Sequence, residues 1–491
     1  MGERARHSAK KSISWLALSL LGFFLFAMIL ADSRSASAKP LPGGNFRAIP
    51  AFARKYGLPC SACHTAWPEL NNFGQVFRDN GYQLMNDRDS PIWQNPTYWP
   101  MTLRMTPNWH RERTNHQPVD GAPPNGSVVE QHGFDLSGFD LWTAGTLYKN
   151  ISFSLLPSSD STGAFHFENA FVRFDNLLKS RWLNVKFGKF ELDNLVSEKR
   201  FLFLSANGGL YQTYHFAPVG DANDFGLGDN QIGLELMGHS INSYTRYSVS
   251  VLSSNSGNVG LPSNRTYDGY VTFSQAFQVG RLGLQRLGGY AYVGRRPTFS
   301  QTFTTAPIPG TGIGNKSFYR VGFAGDLYTL QGKWEFLPFF LHGYDSVFLG
   351  IGCGLTAPCS PPVTLPAGAK APTWNGGFIE THYYYSPQLV LTGRYEILRM
   401  SRQAFPTPTM PANQGDIDAY TAGYRWYPIM FSRAGLAWHN EFSLVKTAGA
   451  IPLSGNGVGL SPLAPLTALC SATRCPGVWS QTLFFGFDFD F

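Results

Sequence analysis

The sequence predicts an all-β protein, a transmembrane antiparallel β-barrel of about 16 strands. Three observations lead to this prediction: the composition, the alternation of apolar and polar residues, and the C-terminal decapeptide. Charged residues make up 14% of the 491 positions and aromatic residues 15%, whereas soluble domains contain about 25% charged residues. A wall that faces lipid and carries aromatic girdles has this composition. A large secreted β-sandwich or β-helix can have it too, so composition alone leaves these classes open.

Segments in which apolar and polar residues alternate recur from about residue 132 to the C-terminus, most clearly in 245–252, 389–398 and 436–444. Successive side chains of a strand point to opposite faces, so each segment has one apolar and one polar face. In a soluble sandwich the apolar faces turn inward, whereas in a membrane barrel they turn outward. The lumen-lining side chains expected in a barrel include Arg394, Glu396, His439 and Glu441.

The chain ends in TLFFGFDFDF, where phenylalanines alternate with Gly486, Asp488 and Asp490. An alternating final strand with an aromatic C-terminal residue resembles the terminal strand of bacterial outer-membrane barrels, and it favours the barrel over the sandwich. Longer stretches rich in Gly, Pro, Ser and Thr are expected to be the outward loops. They lie near 205–230, 253–266, 295–315, 352–374 and 449–478.

The N-terminus has the layout of a secretory signal peptide. A basic stretch precedes an apolar run from Ile13 to Ala31, and Ala36-Ser37-Ala38 matches an A-x-A cleavage site. An uncleaved anchor helix is the alternative, because the run is long enough to span a bilayer. No later segment offers about 18 uninterrupted apolar residues, so we expect no helical membrane domain.

The charge balance excludes nucleic-acid binding. The whole chain carries a net charge of +7, and residues 1–38 contribute five basic and two acidic residues, so the mature chain is near +4. This balance is mild and contains no run of Lys or Arg, which a nucleic-acid-binding surface would need.

The segment CSACH at 60–64 matches the C-x-x-C-H pattern of c-type haem attachment. The thiols of Cys60 and Cys63 are spaced to bond the two vinyl groups on one porphyrin edge, and His64 follows as an iron ligand. A redox dithiol, a zinc ligand pair and chance are the alternatives. A dithiol prefers a thioredoxin-like βαβ setting, which is not predicted here. A zinc site needs two further ligands at matching spacing, and the nearby sequence offers none.

A helix is predicted after this motif, opening at Pro68 and Glu69 and stopping at Gly81. Its apolar face serves either as ordinary core or as a wall that shields the haem, and it consists of Leu70, Phe73 and Phe77. The sequence does not determine the second axial ligand, and an open sixth position is one alternative. Met85 is the first candidate because it lies just past the helix; the others are Met101, Met105 and His110.

The four remaining cysteines form two close pairs in Gly- and Pro-rich stretches, Cys353/Cys359 and Cys470/Cys475. In an exported protein such pairs predict local disulfides. Both pairs fall in expected outward loops, where a disulfide would tie down exposed chain.

Residues 49–84 resemble the fused monohaem cytochrome c–porins of the bacterial outer membrane, best known as iron-oxidising outer-membrane cytochromes. Gln75 departs from the pattern, since a basic residue often follows the Phe-Gly step in such proteins. The resemblance is carried by Ala53-Arg54, Gly57, Cys60, Cys63, His64, Pro68, Leu70, Phe73-Gly74, Phe77 and Gly81-Tyr82. The regions expected from the whole chain are a signal peptide (1–38), a monohaem cytochrome c-like head (39–95) and a porin-like barrel (96–491).

The resemblance implies an electron-transfer protein of the bacterial outer membrane. One covalent haem c would sit in a short helical head that plugs the lumen, inside or at the mouth of the barrel. The protein would take electrons from extracellular Fe(II) or another donor and pass them to a periplasmic c-type cytochrome or copper protein. Three alternatives stay open: a conduit with another donor or outward electron flow, a solute porin with the head as a plug, and a secreted soluble β-protein with a haem head.

Overall fold

Sixteen antiparallel strands close into one barrel, as the sequence predicts. All described residues belong to the compact unit Phe46–Phe491. The predicted signal peptide, both predicted disulfides and most of the predicted outward loops lie outside the described residues. The computed structural model describes residues 51–66, 69–85, 89–94, 100–115, 128–159, 163–195, 230–253, 267–297, 315–344, 373–400, 417–430, 435–448, 450–452, 460–462 and 477–490.

The elements have the following bounds in chain order. The N-terminal segment contains helices α1 (Ala51–Tyr56), α2 (Cys60–Cys63) and α3 (Asn72–Asp79), with strands β1 (His64–Ala66) and β2 (Glu69–Leu70) between α2 and α3. The first half of the barrel consists of β3 (Thr102–Thr114), β4 (Val129–Tyr148), β5 (Ile151–Ser159), β6 (Phe165–Phe174), β7 (Asn184–Glu191), β8 (Asn230–His239), β9 (Thr245–Ser253) and β10 (Tyr267–Val279).

The second half consists of β11 (Gly283–Pro297), β12 (Asn315–Thr329), β13 (Trp334–Tyr344), β14 (Thr373–Ser386), β15 (Leu389–Met400), β16 (Ile417–Met430), β17 (Gly435–Ala448) and β20 (Gly477–Asp490). A separate two-stranded sheet is formed by β18 (Ala450–Pro452) and β19 (Leu460–Pro462). The barrel closes where β20 pairs with β3, for example Phe485 with Trp109. Short 3-10 turns lie at Leu177–Lys179, Gly280–Leu282 and Leu330–Gly332.

The barrel wall has its apolar side chains outside and its polar side chains inside. On β9, Val249 and Val251 are 45% and 50% exposed, whereas Ser248 and Ser250, which alternate with them, are buried. On β20, Phe485 and Phe487 face outward and Asp488 is buried. This distribution is that of a transmembrane barrel and not of a soluble sandwich. The predicted lumen-lining residues are all buried on the inner face: Arg394, Glu396, His439 and Glu441.

The two ends of the barrel differ. At one end neighbouring strands are joined by short turns, as between Tyr148 and Ile151, between Val279 and Gly283, and between Ser386 and Leu389. At the other end the connections are longer. In bacterial outer-membrane barrels the short turns face the periplasm and the long loops face outward. We call the first end the short-turn end.

The inside of the barrel is not uniformly polar. One cluster of buried apolar residues extends across the inward faces of the strands from β7 to β17, with Phe339 stacked on both Tyr290 and Phe378. The other members with large side chains are Phe190, Leu192, Leu195, Leu252, Tyr270, Tyr292, Phe318, Leu337, Leu341 and Val445. A packed interior of this kind leaves less room for water than the polar channel of a solute porin.

Candidate functional site

The head segment, by which we mean the described residues between 51 and 94, starts with helix α1 and ends before the barrel. Its core is aromatic: Phe77 packs edge-on against Tyr56 and Phe52, and Phe52 stacks on Tyr82. Trp142 of the barrel wall packs against the same cluster. Aromatic pairs in these geometries contribute about 0.5–1.5 kcal/mol beyond the area they bury.

Helix α3 begins at Asn72, so the prediction that it opens at Pro68 and Glu69 is wrong. Glu69 and Leu70 instead form β2, which pairs with β1. The helix starts later because Asn71 caps it, its side-chain oxygen accepting a hydrogen bond of 3.0 Å from the backbone N–H of Gly74. The predicted stop at Gly81 is confirmed by its φ of +74°, which ends the helix in the left-handed region.

The predicted apolar face of this helix is only partly correct. Phe77 lies in the core of the head segment, whereas Phe73 is 45% exposed. Because the helix is shifted towards the C-terminus, Leu70 belongs to β2 and does not share the face. The sequence pattern therefore identified apolar residues but not their common surface.

The CSACH residues form one short helical turn and the strand that follows it. Cys60 and Cys63 are half-buried thiols on α2, and His64 begins β1. Asn71 holds this turn in place, since its backbone N–H donates to the Cys63 carbonyl at 2.9 Å and its side-chain amide donates to the carbonyl of Ala62. Sequence reasoning missed the role of Asn71. An asparagine beside an apolar run predicts at most a helix cap, and the sequence does not show that this residue also bonds the CSACH turn.

Gly74 lies against the back of the same turn. A Cβ atom at this position would meet the Cys63 carbonyl oxygen at 2.2 Å, which is closer than van der Waals contact allows. Only glycine therefore lets α3 pack onto α2. This is the physical reason for the Phe-Gly step on which the family resemblance partly depends.

The ring of His64 is oriented by the backbone. Its Nδ1 lies 3.2 Å from the carbonyl oxygen of Glu69. With the proton on Nδ1, the ring donates to that carbonyl and Nε2 carries the lone pair that a metal ion needs. Histidines that ligate metals almost always donate their other ring nitrogen in this way.

Both thiols are harder to ionise than ordinary cysteines. Burial raises the pKa of Cys60, and the nearby Asp490 carboxylate raises it further. Burial, with a smaller contribution from Cys60, raises the pKa of Cys63 to about 11. Reactive dithiols of the C-x-x-C type have lowered thiol pKa values. The alternative of a redox dithiol is thus disfavoured by the electrostatics of the site.

These residues fit a c-type haem. Two thiols lie on one helical turn, the following histidine is held by a backbone carbonyl, and an exposed aromatic ring, Phe73, stands beside Gly74. The predicted distal ligand Met85 lies beyond α3, is 39% exposed and has a φ of 60°. Its role stays a prediction. Met105 alternates on β3 with the buried, inward-facing Thr106, which puts Met105 on the outer face.

The head segment is held against the inner wall of the barrel by buried charges. Arg246 of β9 donates to both carboxylate oxygens of Asp79, at 2.8 and 3.0 Å, and to Asp193, at 2.8 and 2.9 Å. Gln75, where a basic residue is frequent in the resembling family, donates to Asp79 at 2.9 Å. Arg173 of β6 donates to the carbonyls that end α3.

These contacts lie at the short-turn end of the barrel. Asp79 meets Arg246 one residue past the start of β9, and the side chain of Gln83 donates to the carbonyl of Lys149 in a short turn. The Ile92 N–H donates to Thr146 near the end of β4. The head segment, with Cys60, Cys63 and His64, therefore lies against the inside of the wall near this end.

No protein-family model matches the sequence, and no curated protein matches it. Solved structures with a similar fold include OmpTdeltaL8 of Vibrio cholerae, at 9% identity and a TM-score of 0.43 over 80% of this chain and 100% of that chain. DcaP of Acinetobacter baumannii matches at 9% identity and a TM-score of 0.45 over 78% and 96%. An anion-selective porin from Comamonas acidovorans matches at 11% identity and a TM-score of 0.47 over 80% and 99%. A likeness at these identities concerns the fold alone.

Among the described residues, no helix combines the length and the apolar character needed to cross a bilayer.

Proposed function

We propose that this protein is an outer-membrane electron conduit that carries one covalent haem c on Cys60 and Cys63, with His64 as an iron ligand. Extracellular Fe(II) is the proposed donor and a periplasmic c-type cytochrome or copper protein the proposed acceptor. The observation that carries the proposal is the CSACH turn with an oriented His64, held inside the wall of a lipid-facing barrel.

The position of the turn supports electron exchange with a periplasmic carrier. The head segment contacts the wall near the short-turn end, which faces the periplasm in outer-membrane barrels. A haem there lies within reach of a soluble periplasmic carrier.

The packed interior favours a conduit over a solute porin. The buried cluster that includes Tyr290, Phe339 and Phe378 extends across the inner faces of most strands, whereas a porin has a polar, water-filled lumen. Burial in apolar surroundings is also one of the means by which a protein sets a haem potential.

The haem, when bound, supplies reversible one-electron chemistry at its iron. The chain supplies the rest. Cys60 and Cys63 fix the group covalently, so it is not lost to the medium. The Glu69 carbonyl orients His64 by accepting a hydrogen bond from its Nδ1–H and makes Nε2 a stronger ligand. Arg246 and Asp79 fix the head segment to the wall.

The test uses the full-length protein, purified from outer membranes in detergent. We expect a mass increase of one haem, a c-type absorption spectrum, and reduction of that spectrum by Fe(II). Cys60→Ala combined with Cys63→Ala abolishes the added mass, whereas Met85→Ala, the control, keeps it. A mature wild-type chain without haem contradicts the proposal.

The solute porin is the second candidate, favoured by the closed barrel of sixteen strands. Conductance in planar bilayers distinguishes the two. A large open current from haem-loaded protein supports the porin, and a small or absent current supports the conduit.

A further inference from the structure

We propose that Glu69, Glu335 and His382 form a binding site for a divalent transition-metal ion on the inner wall of the barrel. The three side chains are distinct from the haem attachment residues. Glu69 nevertheless links the two sets, because its own backbone carbonyl lies 3.2 Å from His64 Nδ1. One imidazole and two carboxylates are donors that suit Fe²⁺, Mn²⁺ or Zn²⁺.

The three side chains come from distant parts of the chain and converge in the interior. Glu69 lies on β2, Glu335 on β13 and His382 on β14, and all three are buried. The Nδ1 atom of His382 is 2.8 Å from Glu335 Oε2 and 3.1 Å from Glu69 Oε2. One donor atom from each residue lies within 4.8 Å of the other two.

These spacings allow the three donor atoms to share one metal ion. Ligand bonds of roughly 2.0–2.2 Å from imidazole nitrogen and carboxylate oxygen put neighbouring ligand atoms about 3 Å apart. A mixed set of imidazole and carboxylates suits divalent iron, manganese and zinc, whereas calcium and magnesium prefer oxygen donors alone.

The surroundings of His382 are those of a metal ligand. Its Nε2 lies 2.6 Å from Glu380 Oε1, so the carboxylate can accept a hydrogen bond from Nε2–H, which leaves the Nδ1 lone pair directed at Glu69 and Glu335. This is the carboxylate–histidine–metal arrangement of many protein sites. Arg394 in turn donates to the second oxygen of Glu380 at 3.0 Å, which fixes the supporting carboxylate.

The hydrogen bonds of the cluster are shared between its two carboxylates. The hydroxyl of Tyr384 lies 2.8 Å from Glu69 Oε2 and 2.5 Å from Glu335 Oε2, so it has one proton for two carboxylates. The Nδ1 atom of His382 also lies within reach of both carboxylates, so this nitrogen is shared between them as well. A metal ion in place of a proton on Nδ1 would contact both carboxylates at once.

A cleft lies beside the site at the short-turn end. A cleft of about 410 Å³ runs between the head segment and the 3-10 turns at Gly280–Leu282 and Leu330–Gly332. Tyr328 lines this cleft and donates to the second oxygen of Glu335, at 2.9 Å. The side chain of Tyr328 therefore lies between the cleft and Glu335.

The test measures Mn(II) binding by electron paramagnetic resonance on the purified full-length protein in detergent, after treatment with a chelator. We expect one Mn(II) bound per chain. Glu335→Gln and His382→Gln each weaken binding by at least about tenfold, because each removes a ligand. The matched control is Glu112→Gln, another buried lumen carboxylate, which bonds Gln131 of β4 and lies outside the cluster; it binds as wild type does.

Wild-type protein that binds no Mn(II), or variants that bind it as tightly as wild type, would overturn the inference. The number of Mn(II) ions bound per wild-type chain tests the site even if a variant does not fold. Heat-dependent gel mobility shows which variants form the barrel. A second readout rests on the proposed haem: bound Mn(II) shifts the haem midpoint potential to more positive values in wild type but not in Glu335→Gln. Haem without Mn(II) binding refutes this site alone, and Mn(II) binding without haem refutes the proposed function alone.

Discussion

Replacing Arg246 by methionine is expected to release the head segment from the barrel wall. Arg246 is buried and donates to both Asp79 and Asp193, so its loss leaves two buried carboxylates without the guanidinium that bonds them both. Removing one partner of a buried ion pair costs about 3–5 kcal/mol. Methionine retains much of the apolar stem, so most of the change reports the lost charge and hydrogen bonds.

This free energy appears as opening of the head segment. At about 1.4 kcal/mol per tenfold, the open population rises by roughly two to three and a half powers of ten. Limited trypsin digestion measures it, because cleavage follows the open population when closing is faster than cleavage. Arg54, Lys55 and Arg78 in the head segment provide the cleavage sites.

The matched control is Arg111→Met. Arg111 also forms a two-fold bond with a carboxylate, Glu130, but both side chains are about two-fifths exposed, and exposed pairs contribute about 0–1 kcal/mol. Arg246→Met combined with Asp79→Asn and Asp193→Asn is expected to recover much of the loss, because no buried charge is then unpaired. If Arg246→Met is digested no faster than Arg111→Met, the anchoring role of this ion pair is refuted.

Three further predictions address the head segment and the wall. Gly74→Ala is expected to destabilise the head segment by about 1–3 kcal/mol, because its Cβ would meet the Cys63 carbonyl oxygen at 2.2 Å; trypsin digestion as slow as in wild type would contradict this. Val251→Arg is expected to destabilise the barrel in lipid vesicles by about 2–4 kcal/mol if the site is near the bilayer midplane, measured by denaturant unfolding against Val251→Ala; equal stability of the two variants would argue against a lipid-facing wall. Burial alone would raise the pKa of Asp79, but Arg246 and His239 lower this pKa well below its usual value. The stabilisation that the ionised Asp79 provides is therefore complete above about pH 4, the pKa of an unfolded aspartate. It declines only in stronger acid, as the pH falls through the folded pKa. A trypsin-resistance profile that already falls between pH 7 and pH 5 would contradict that sign.

The division between sequence and tertiary structure is clearest on strand β9. The alternation of Arg246, Ser248 and Ser250 with apolar residues determined which side chains face inward, because a strand has a period of two. The same period of two predicted the outward-facing phenylalanines of β20. Counting the alternating segments predicted about 16 strands. Local chemistry likewise determined the CSACH turn, since both thiols and the histidine lie within five residues.

Only the closed barrel decided which inward-facing residues meet. Glu69 contacts His382 across a sequence separation of 313 residues, and Arg246 contacts Asp79 across 167. Periodicity predicts that Arg246 and His382 face inward, but it predicts the same for every other polar position on the inner face. It therefore does not identify which of these residues contact each other. The predicted start of α3 is wrong for a related reason. Glu69 and Leu70 suit a helix by their local sequence, but in the fold they pair with β1. Partner choice depends on strand register, on closure and on where the head segment docks, and these are properties of the whole chain that no local pattern contains.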